Sequence, residues 1–302
     1  ARGLTPRSME YLFARMAREE RRSQGSLSYH CTGSYLEVYM EHITDLLEPP
    51  KYDTLRNLIP PPNLQLREGP DGGVYVEGLT QEELTCAAQF GAQFSGRGTH
   101  ATALTHTRPC HRCADDALRC LERGVENRKV ASTEMNAESS RSHAVFTLSI
   151  RAKQTVDGVT TVRHSMFNLV DLAGSERVSK TGATGQNLKE GANINKSLSE
   201  LGNVITSLVS VSEGKPRHVA YRNSKLTYLL KDSLGGNAKT CMVVCASPLD
   251  RYFSETLSTL QFAQRAKRIK NRAVANENTS GSTAALQEEI ARLRAQLAAR
   301  PE

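Results

Sequence analysis

The sequence predicts an α/β fold, and three stretches carry that reading. Met166-Phe167-Asn168-Leu169-Val170 is an apolar run that reads as a buried strand and feeds into Asp171-Leu172-Ala173-Gly174-Ser175-Glu176-Arg177. Ala144-Val145-Phe146-Thr147-Leu148-Ser149-Ile150 alternates and reads as a second strand. Leu188, Ile194, Leu198, Leu201, Ile205 and Leu208 recur at helical spacing and predict a long helix.

An Asp at the end of a strand, with Gly three residues on, suits a nucleoside triphosphatase. The Asp171 carboxylate can hold Mg²⁺ through water, and Gly174, without a side chain, lets its N–H approach a γ-phosphate. Turns also produce Asp-x-x-Gly, so a second stretch is needed. Asn136-Ala137-Glu138-Ser139-Ser140-Arg141-Ser142-His143 stands immediately before the alternating strand. Hydroxyls in that place can ligate Mg²⁺ and bond phosphate oxygens, and Arg141 is an ion-pair partner for Glu176.

With both stretches in view the chain resembles the kinesin motor domain. Asn-x-x-Ser-Ser-Arg-Ser-His is similar to its first switch loop and Asp-Leu-Ala-Gly-Ser-Glu to its second. The resemblance implies a P-loop NTPase three-layer α/β/α sandwich, N-terminally incomplete, ending in the start of a coiled coil. It also implies ATP and Mg²⁺ as cofactors and microtubules as partner. Asn136, Ser139, Ser140, Asp171 and Gly174 would face the nucleotide, Ser140 and Asp171 the metal, and Arg141–Glu176 would close the site.

Composition is consistent with an acidic partner surface: the formal charge is +7 over 302 residues. Nucleic acid would also satisfy that charge, but aromatic content is 5% with no Trp, and no basic stretch interleaves with stacking residues. Seven scattered cysteines do not make a secreted disulfide framework. No apolar run approaches the roughly eighteen residues of a membrane span. A reducing, cytoplasmic setting on the microtubule cytoskeleton is expected, with no membrane and no nucleic-acid partner.

Along the chain, Thr5-Pro6-Arg7-Ser8 opens a helix with Met9, Leu12, Phe13 and Met16 at helical spacing. Tyr29 to Val38 alternates and continues to Leu47; its Tyr-Leu-Glu-Val-Tyr core resembles the kinesin strand after the phosphate-loop helix. Pro49, Pro50 and Pro60 to Pro62 mark a surface loop, and Asp71-Gly72-Gly73 turns a small hairpin that by resemblance faces the microtubule. Residues 88–113 match nothing in the family pattern and are expected to be a loop or disordered insertion. Cys110-His111-Arg112-Cys113, near His100 and His106, admits a zinc reading, though no second ligand pair stands at a standard spacing.

Asp157-Gly158 is a hairpin turn, and Ser179 to Gln186 is Gly/Thr-rich and expected to be mobile. The polar face of the long helix carries Lys189, Asn193 and Lys196. His218 to Thr227 is similar to the kinesin segment that enters a tubulin-contacting helix, which assigns His218, Tyr221, Arg222 and Lys225 to the microtubule face. Thr240 to Ala246 reads as a short buried strand that packs Cys241 and Cys245. Glu255 to Arg268 reads as a helix with Leu257, Leu260, Phe262, Ala263 and Ala266 inward, ending in a basic cluster.

Ile269 to Glu277 resembles the neck linker, Asn278 to Thr283 reads as a flexible joint, and Leu286, Ile290, Leu293 and Leu297 start a heptad seam. The organisation expected is a partial motor domain at 1–272, neck linker and joint at 269–283, and coiled-coil start at 284–302, with a homo-oligomer formed downstream. Gly-Gly-Asn-Ala-Lys-Thr at 235–240 and Phe-Ala-Gln-Arg-Ala-Lys at 262–267 are most like the mitotic kinesin subgroup numbered twelve, which adds the spindle.

No Gly-x-x-x-x-Gly-Lys-Ser/Thr occurs in the sequence. In kinesins that phosphate loop lies ahead of the point matched by Ala1, so the chain as given is expected to be a fragment that does not hydrolyse ATP appreciably. The alternatives are a nucleotide-independent microtubule-binding or dimerising fragment, and an unrelated GTPase. Against the GTPase, Asn195-Lys196-Ser197-Leu198 is not the base-reading Asn-Lys-x-Asp.

Overall fold

A computed structural model describes residues 3–70, 72–84, 111–135, 141–174 and 186–298. Helix α1 (Leu4–Arg22) is the expected amphipathic helix, burying Met9, Phe13, Met16 and Ala17 and ending in Arg21 and Arg22, where cations suit the carbonyl end. The chain then enters β1 (Leu27–Tyr39). This strand alternates only at its start. From Gly33 to Val38 both faces are buried, as befits a strand with packing on either side. Met40 and Glu41, both at positive φ (49° and 63°), make the two-residue turn into β2 (His42–Asp45).

Two small antiparallel pairs follow, β3 (Lys51–Tyr52) with β4 (Leu58–Ile59), and β5 (Gln65–Glu68) with β6 (Val74–Glu77). The second pair is the hairpin expected around Gly72-Gly73. β7 (Glu82–Glu83) adds to β1. Helix α2 (His111–Met135) begins inside the segment expected to be irregular, so 111–113 are helical rather than loop. The rest of that insertion, with the Cys110 zinc reading, lies outside the described residues. Among the described residues no group of three His, Cys, Asp or Glu is placed to hold a metal.

β8 (His143–Val156) and β9 (Val159–Asp171) form one long hairpin, closed as expected at Asp157 and Gly158. The main sheet runs β10-β9-β8-β1-β2, with β10 at Asn276–Ser280, and its described pairings are antiparallel. On one face α1 and α2 press Phe13, Met16, Ala117 and Cys120 against Tyr35, Phe146 and Leu148. Tyr35 meets Phe146 edge to face, centroids 5.7 Å apart. On the other face Leu36, Val38, Ile43 and Val145 receive Leu66 and Val76 of the small hairpin, and Leu229. Helices α3 (Gln186–Ser212), α4 (Lys225–Leu229) and α5 (Phe253–Ala266) add a core of Leu201, Val204, Ile205 and Leu226. Helices, sheet and helices make the expected α/β/α arrangement.

Three apolar stretches depart from expectation. Thr240 to Ala246 is not a buried strand: it pairs with no strand among the described residues, Val243 is 71% exposed, and Cys241 and Cys245 are exposed rather than packed. In β9, Phe167 and Leu169 reach the core, but Met166 is 63% exposed and Val170 is also at the surface. In α5, Phe262 and Ala266 face inward as expected while Leu257 and Leu260 are exposed. A strand is buried only where neighbours cover its edges and faces. Beyond β9 the described neighbour is β10, and it reaches only Thr160 to His164.

The expected flexible joint is also corrected. Asn276–Ser280 forms β10, fixed to β9 by Arg163–Glu277 at 2.9 Å and by the hydroxyls of Thr161 and Thr279 at 3.4 Å. α6 (Thr283–Ala298) is helical over the expected heptads, with Ile290 and Leu293 at the surface. No helix is long and apolar enough to cross a membrane among the described residues.

Gly124, inside α2, tests the packing of this layer. Replacing a helical Gly with Ala ordinarily gains about 1 kcal/mol. Here the added Cβ would fall inside contact distance of the Tyr35 ring. Gly124→Ala is expected to lose about 1–3 kcal/mol instead, read as a lower urea midpoint at unchanged slope. A higher midpoint would mean the ring has room.

Candidate functional site

The two polar loops singled out from sequence are attached to neighbouring strands at the same end of the sheet. Ala144 pairs with Asp171, so the start of β8 and the end of β9 lie side by side. Asp171 presents a 78% exposed carboxylate there. Ala173 is buried and Gly174 half-buried. Arg141 is half-buried where the first loop enters β8. Asn136, Ser139, Ser140 and Glu176 lie outside the described residues, and the Arg141–Glu176 pairing with them.

The site rests on an arginine the sequence did not single out. Arg128 of α2 is almost enclosed; its Nε donates to Glu37 Oε1 at 2.9 Å, and its Nη2 donates to Ser142 Oγ at 2.9 Å and to Ser142 O at 3.1 Å. Ser142 Oγ donates onward to Glu37 Oε1 at 2.5 Å. Arg128 Nη1 lies 3.5 Å from Asp171 Oδ2. One guanidinium therefore ties α2 and β1 to both loops. Its fork suits this task because it offers several donors in one plane. The available signal was Glu37, a carboxylate amid Tyr35-Leu36-Val38-Tyr39, which must find a cation if that strand is buried. Spacing alone does not say which one.

His143 opens β8 and is 2% exposed. The Ala173 backbone N–H donates to its Nδ1 at 3.0 Å, and its Nε2 is 2.7 Å from Ser197 Oγ on α3. Burial first, then the positive Arg128, hold its pKa down at about 4, against a smaller opposing pull from Asp171. The ring is neutral in the folded protein at ordinary pH.

The residues assigned to a second face divide into two sets. His218 is exposed, and with Glu200, Asn203, Arg217 and Asn223 it lines a cavity of about 300 Å³ beside α3. Tyr221 is turned inward: its hydroxyl donates to Leu234 O at 2.6 Å and its ring packs on the α3 core. Arg222 stays at the surface but donates to Glu68 of the small hairpin at 2.7 Å, beside Lys231 at 2.7 Å from the same carboxylate. These donors hold the Glu68 pKa down at about 2. Lys225 Nζ donates to Asn63 Oδ1 at 3.1 Å and Leu64 O at 3.3 Å. Arg222 thus holds the hairpin, and Lys225, at the start of α4, holds the residues that lead into it. Lys196 is exposed on α3, while the side chains of Lys189 and Asn193 lie outside the described ones.

Sequence reasoning also missed Asn271, in the segment resembling a neck linker. Its side chain accepts from Gly235 N at 2.8 Å and donates to Ser233 O, Ala238 O and Thr240 Oγ1 at 2.9–3.1 Å. Asn237 continues the attachment through Val274 N and Asn276.

Two loops at adjacent strand ends above a buried arginine, with a long helix bonded to one of them, define a family when set beside known proteins. The kinesin motor domain model matches residues 1–108 and 95–269, and the chain belongs to that family. It is 49% identical to kinesin-like protein KIN-12F of Oryza sativa subsp. japonica, over 98% of this chain and 9% of that protein. It is 47% identical to KIF15 of Homo sapiens, over 98% of this chain and 19% of that protein. The chain therefore spans less than a fifth of the length of these two relatives. Among solved structures, a fast kinesin superposes with a TM-score of 0.69 at 39% identity, over 92% of this chain and 66% of that one. A KIF14 dimer, bound to a microtubule with AMP-PNP, superposes at 0.71 and 40%, over 94% and 69%.

Two outcomes check the site's electrostatics. Arg128→Met strands the Glu37 carboxylate and is expected to cost about 3–5 kcal/mol, whereas adding Glu37→Gln should recover part of that loss. Denaturant curves of the single and double variants decide it, and simple additivity would deny the pairing.

The His143 prediction concerns pH. Its folded pKa of about 4 lies below the roughly 6.5 of a free imidazole, so the unfolded chain takes up a proton that the folded one refuses. This stability contribution is complete above pH 6.5 and falls away as pH drops towards 4, by on the order of 3 kcal/mol. His143→Gln should flatten that part of the stability–pH curve, and an NMR titration midpoint near 6.5 would contradict the assignment.

Proposed function

We propose that this chain is part of an ATP-driven microtubule motor. The observation that carries the reading is the Ala144–Asp171 junction, which puts the ends of both loops together with His143 bonded to Ala173. An exposed strand-end carboxylate and a glycine amide beside it suit a nucleotide phosphate with its Mg²⁺. On this reading Asp171 and Gly174 respond to the γ-phosphate. Asn136, Ser139 and Ser140 take the nucleotide, Ser140 and Asp171 the metal, and Arg141 pairs with Glu176. When bound, Mg²⁺ neutralises charge on the phosphates. The phosphate-cradling Gly-x-x-x-x-Gly-Lys-Ser/Thr is not among these 302 residues, so within this sequence the nucleotide reading is carried by the two loops, alongside the family membership.

Family membership and the microtubule-bound KIF14 neighbour support a microtubule partner, and on this reading the contact lies along α3 and the 217–225 segment. His218 and Arg222 are exposed there, while Tyr221 and Lys225 support the face from behind. Residues 269–276 act as the neck linker and α6 begins a dimerising coiled coil. The expected setting is the cytoplasmic microtubule cytoskeleton, including the spindle.

Co-sedimentation with microtubules tests the partner. Binding by the chain is expected at low salt and should weaken as salt rises, because tubulin is acidic and the chain is basic. Arg222→Glu with Lys225→Glu should weaken it further. Glu68→Gln loosens the same hairpin while leaving both cations, and should keep or raise binding. A folded double variant that pellets as strongly as the parent would place the contact elsewhere.

A further inference from the structure

Helix α1 buries Met9, Phe13, Met16 and Ala17 and leaves a second stripe in water. Leu4, Arg7, Tyr11, Ala14, Arg18 and Arg21 follow one another in steps of three and four, and all six are exposed. The helix carries five arginines and three glutamates, and the glutamates are occupied. Glu19 accepts from the Tyr29 hydroxyl at 2.7 Å and from Arg15 Nε at 3.0 Å, Glu20 accepts from Tyr29 N at 2.8 Å, and Glu10 is half-buried. Strand β1 thus engages two of the carboxylates. Among the described residues Arg7, Arg18 and Arg21 pair with no carboxylate. The helix dipole accounts for Arg21 and Arg22, since cations suit the carbonyl end. It disfavours Arg7, at the close of the first turn, and Arg18 stands a full turn from the end.

The stripe belongs to the far side of the molecule from α4. Helix α1 packs with α2 on one face of the main sheet, whereas the small hairpin and Leu229 pack on the other. On that other face Arg222 and Lys231 share Glu68, each at 2.7 Å, and Lys225 is bonded to Asn63. The less engaged positive charge is therefore the charge on α1.

We propose that the outer stripe of α1 is a docking surface for an acidic polypeptide segment of a partner protein. Arg7 to Arg21 spans about 21 Å along the helix, the reach of about seven extended residues. Carboxylates of such a segment meet Arg7, Arg18 and Arg21, and its aliphatic stems lie against Leu4 and Tyr11, which are 62% and 68% exposed. An anionic membrane fits less well, because apolar residues at one end of the stripe do not make the continuous apolar face that an interfacial helix buries. Nucleic acid also fits less well, since Tyr11 is the single exposed aromatic residue of this helix.

Fluorescence anisotropy of the 302-residue chain with a labelled oligoglutamate peptide of that length tests the surface. Arg7→Glu, Arg18→Glu and Arg21→Glu together are expected to weaken binding about tenfold or more at low salt, and added salt should weaken the parent. Arg151→Glu, Lys153→Glu and Lys239→Glu make the same change in net charge elsewhere. Ile150 packs towards the α1 core, so Arg151 and Lys153 differ in facing: Arg151, next along the strand, points to the opposite face, and so does Lys153 two residues on. That control is expected to stay within about twofold of the parent. If the glutamate variant loses its helix by circular dichroism, the three Arg→Gln changes decide instead, with a loss of about threefold. Parent-like peptide binding by the folded α1 variant overturns the surface, as does an equal loss in the charge-matched control. Tighter binding of phosphatidylserine vesicles or of a single-stranded oligonucleotide through the same three arginines overturns the choice of a polypeptide. A parent dimer in sedimentation that the α1 variant abolishes makes the occupant a second copy, and overturns that choice too.

Discussion

A carboxylate in the middle of a buried strand sets the terms for much of this fold. Glu37 lies where β1 is covered on both faces, between Leu36 and Val38. A charge so placed is tolerated only with a partner and with its lone pairs occupied. Arg128 and Ser142 meet both needs, and in doing so they fix α2 against β1 and fix the entry to β8. Asp171 then stands opposite Ala144 within reach of the same guanidinium. Fixing α2 in that place also requires Gly124, where the Tyr35 ring leaves no space for a methyl group. The chemistry of the two loops begins where this network stops.

Much of the architecture was legible because local pattern and packing agree. Met9, Phe13 and Met16 are spaced for a helix and are buried in one. Asp157-Gly158 demanded a tight turn and both residues are at positive φ. The failures share a different cause. The run from Thr240 to Ala246 has the composition of a core strand, yet a ladder needs a second strand, and composition does not state whether one stands alongside. Conversely, Asn276–Ser280 is too polar to read as a strand and becomes one because β9 offers it an edge.

The candidate site was legible in kind and less so in connection. Asp171 and Gly174 were recognisable from a strand followed by Asp-x-x-Gly, and Arg141 from its place beside the next strand. The partners came from far along the chain: Arg128 for Asp171, Ser197 for His143 and Glu68 for Arg222 occupy positions that no local spacing marks. Charge reading was misled in a specific way. Arg222 and Lys225 look like cations kept for an acidic partner, but Glu68, Asn63 and Leu64 O already engage them. The positive charge available to a partner on this face is therefore smaller than a count of lysines and arginines suggests.

The short strand β10 has a mechanical meaning. Its rungs run from Asn276–His164 to Ser280–Thr160, and α6 leaves two residues beyond the last of them. A force drawn through α6 away from the sheet would reach the Ser280 rung first and open the pairs singly, as a zip. The same force directed along β9 would load the rungs together, in shear. The far end is secured differently, by Asn271 and Asn237 on the loop at 233–240. Tension from beyond the chain's end would thus be gated by direction at β10 and stopped at an amide-sized anchor behind it.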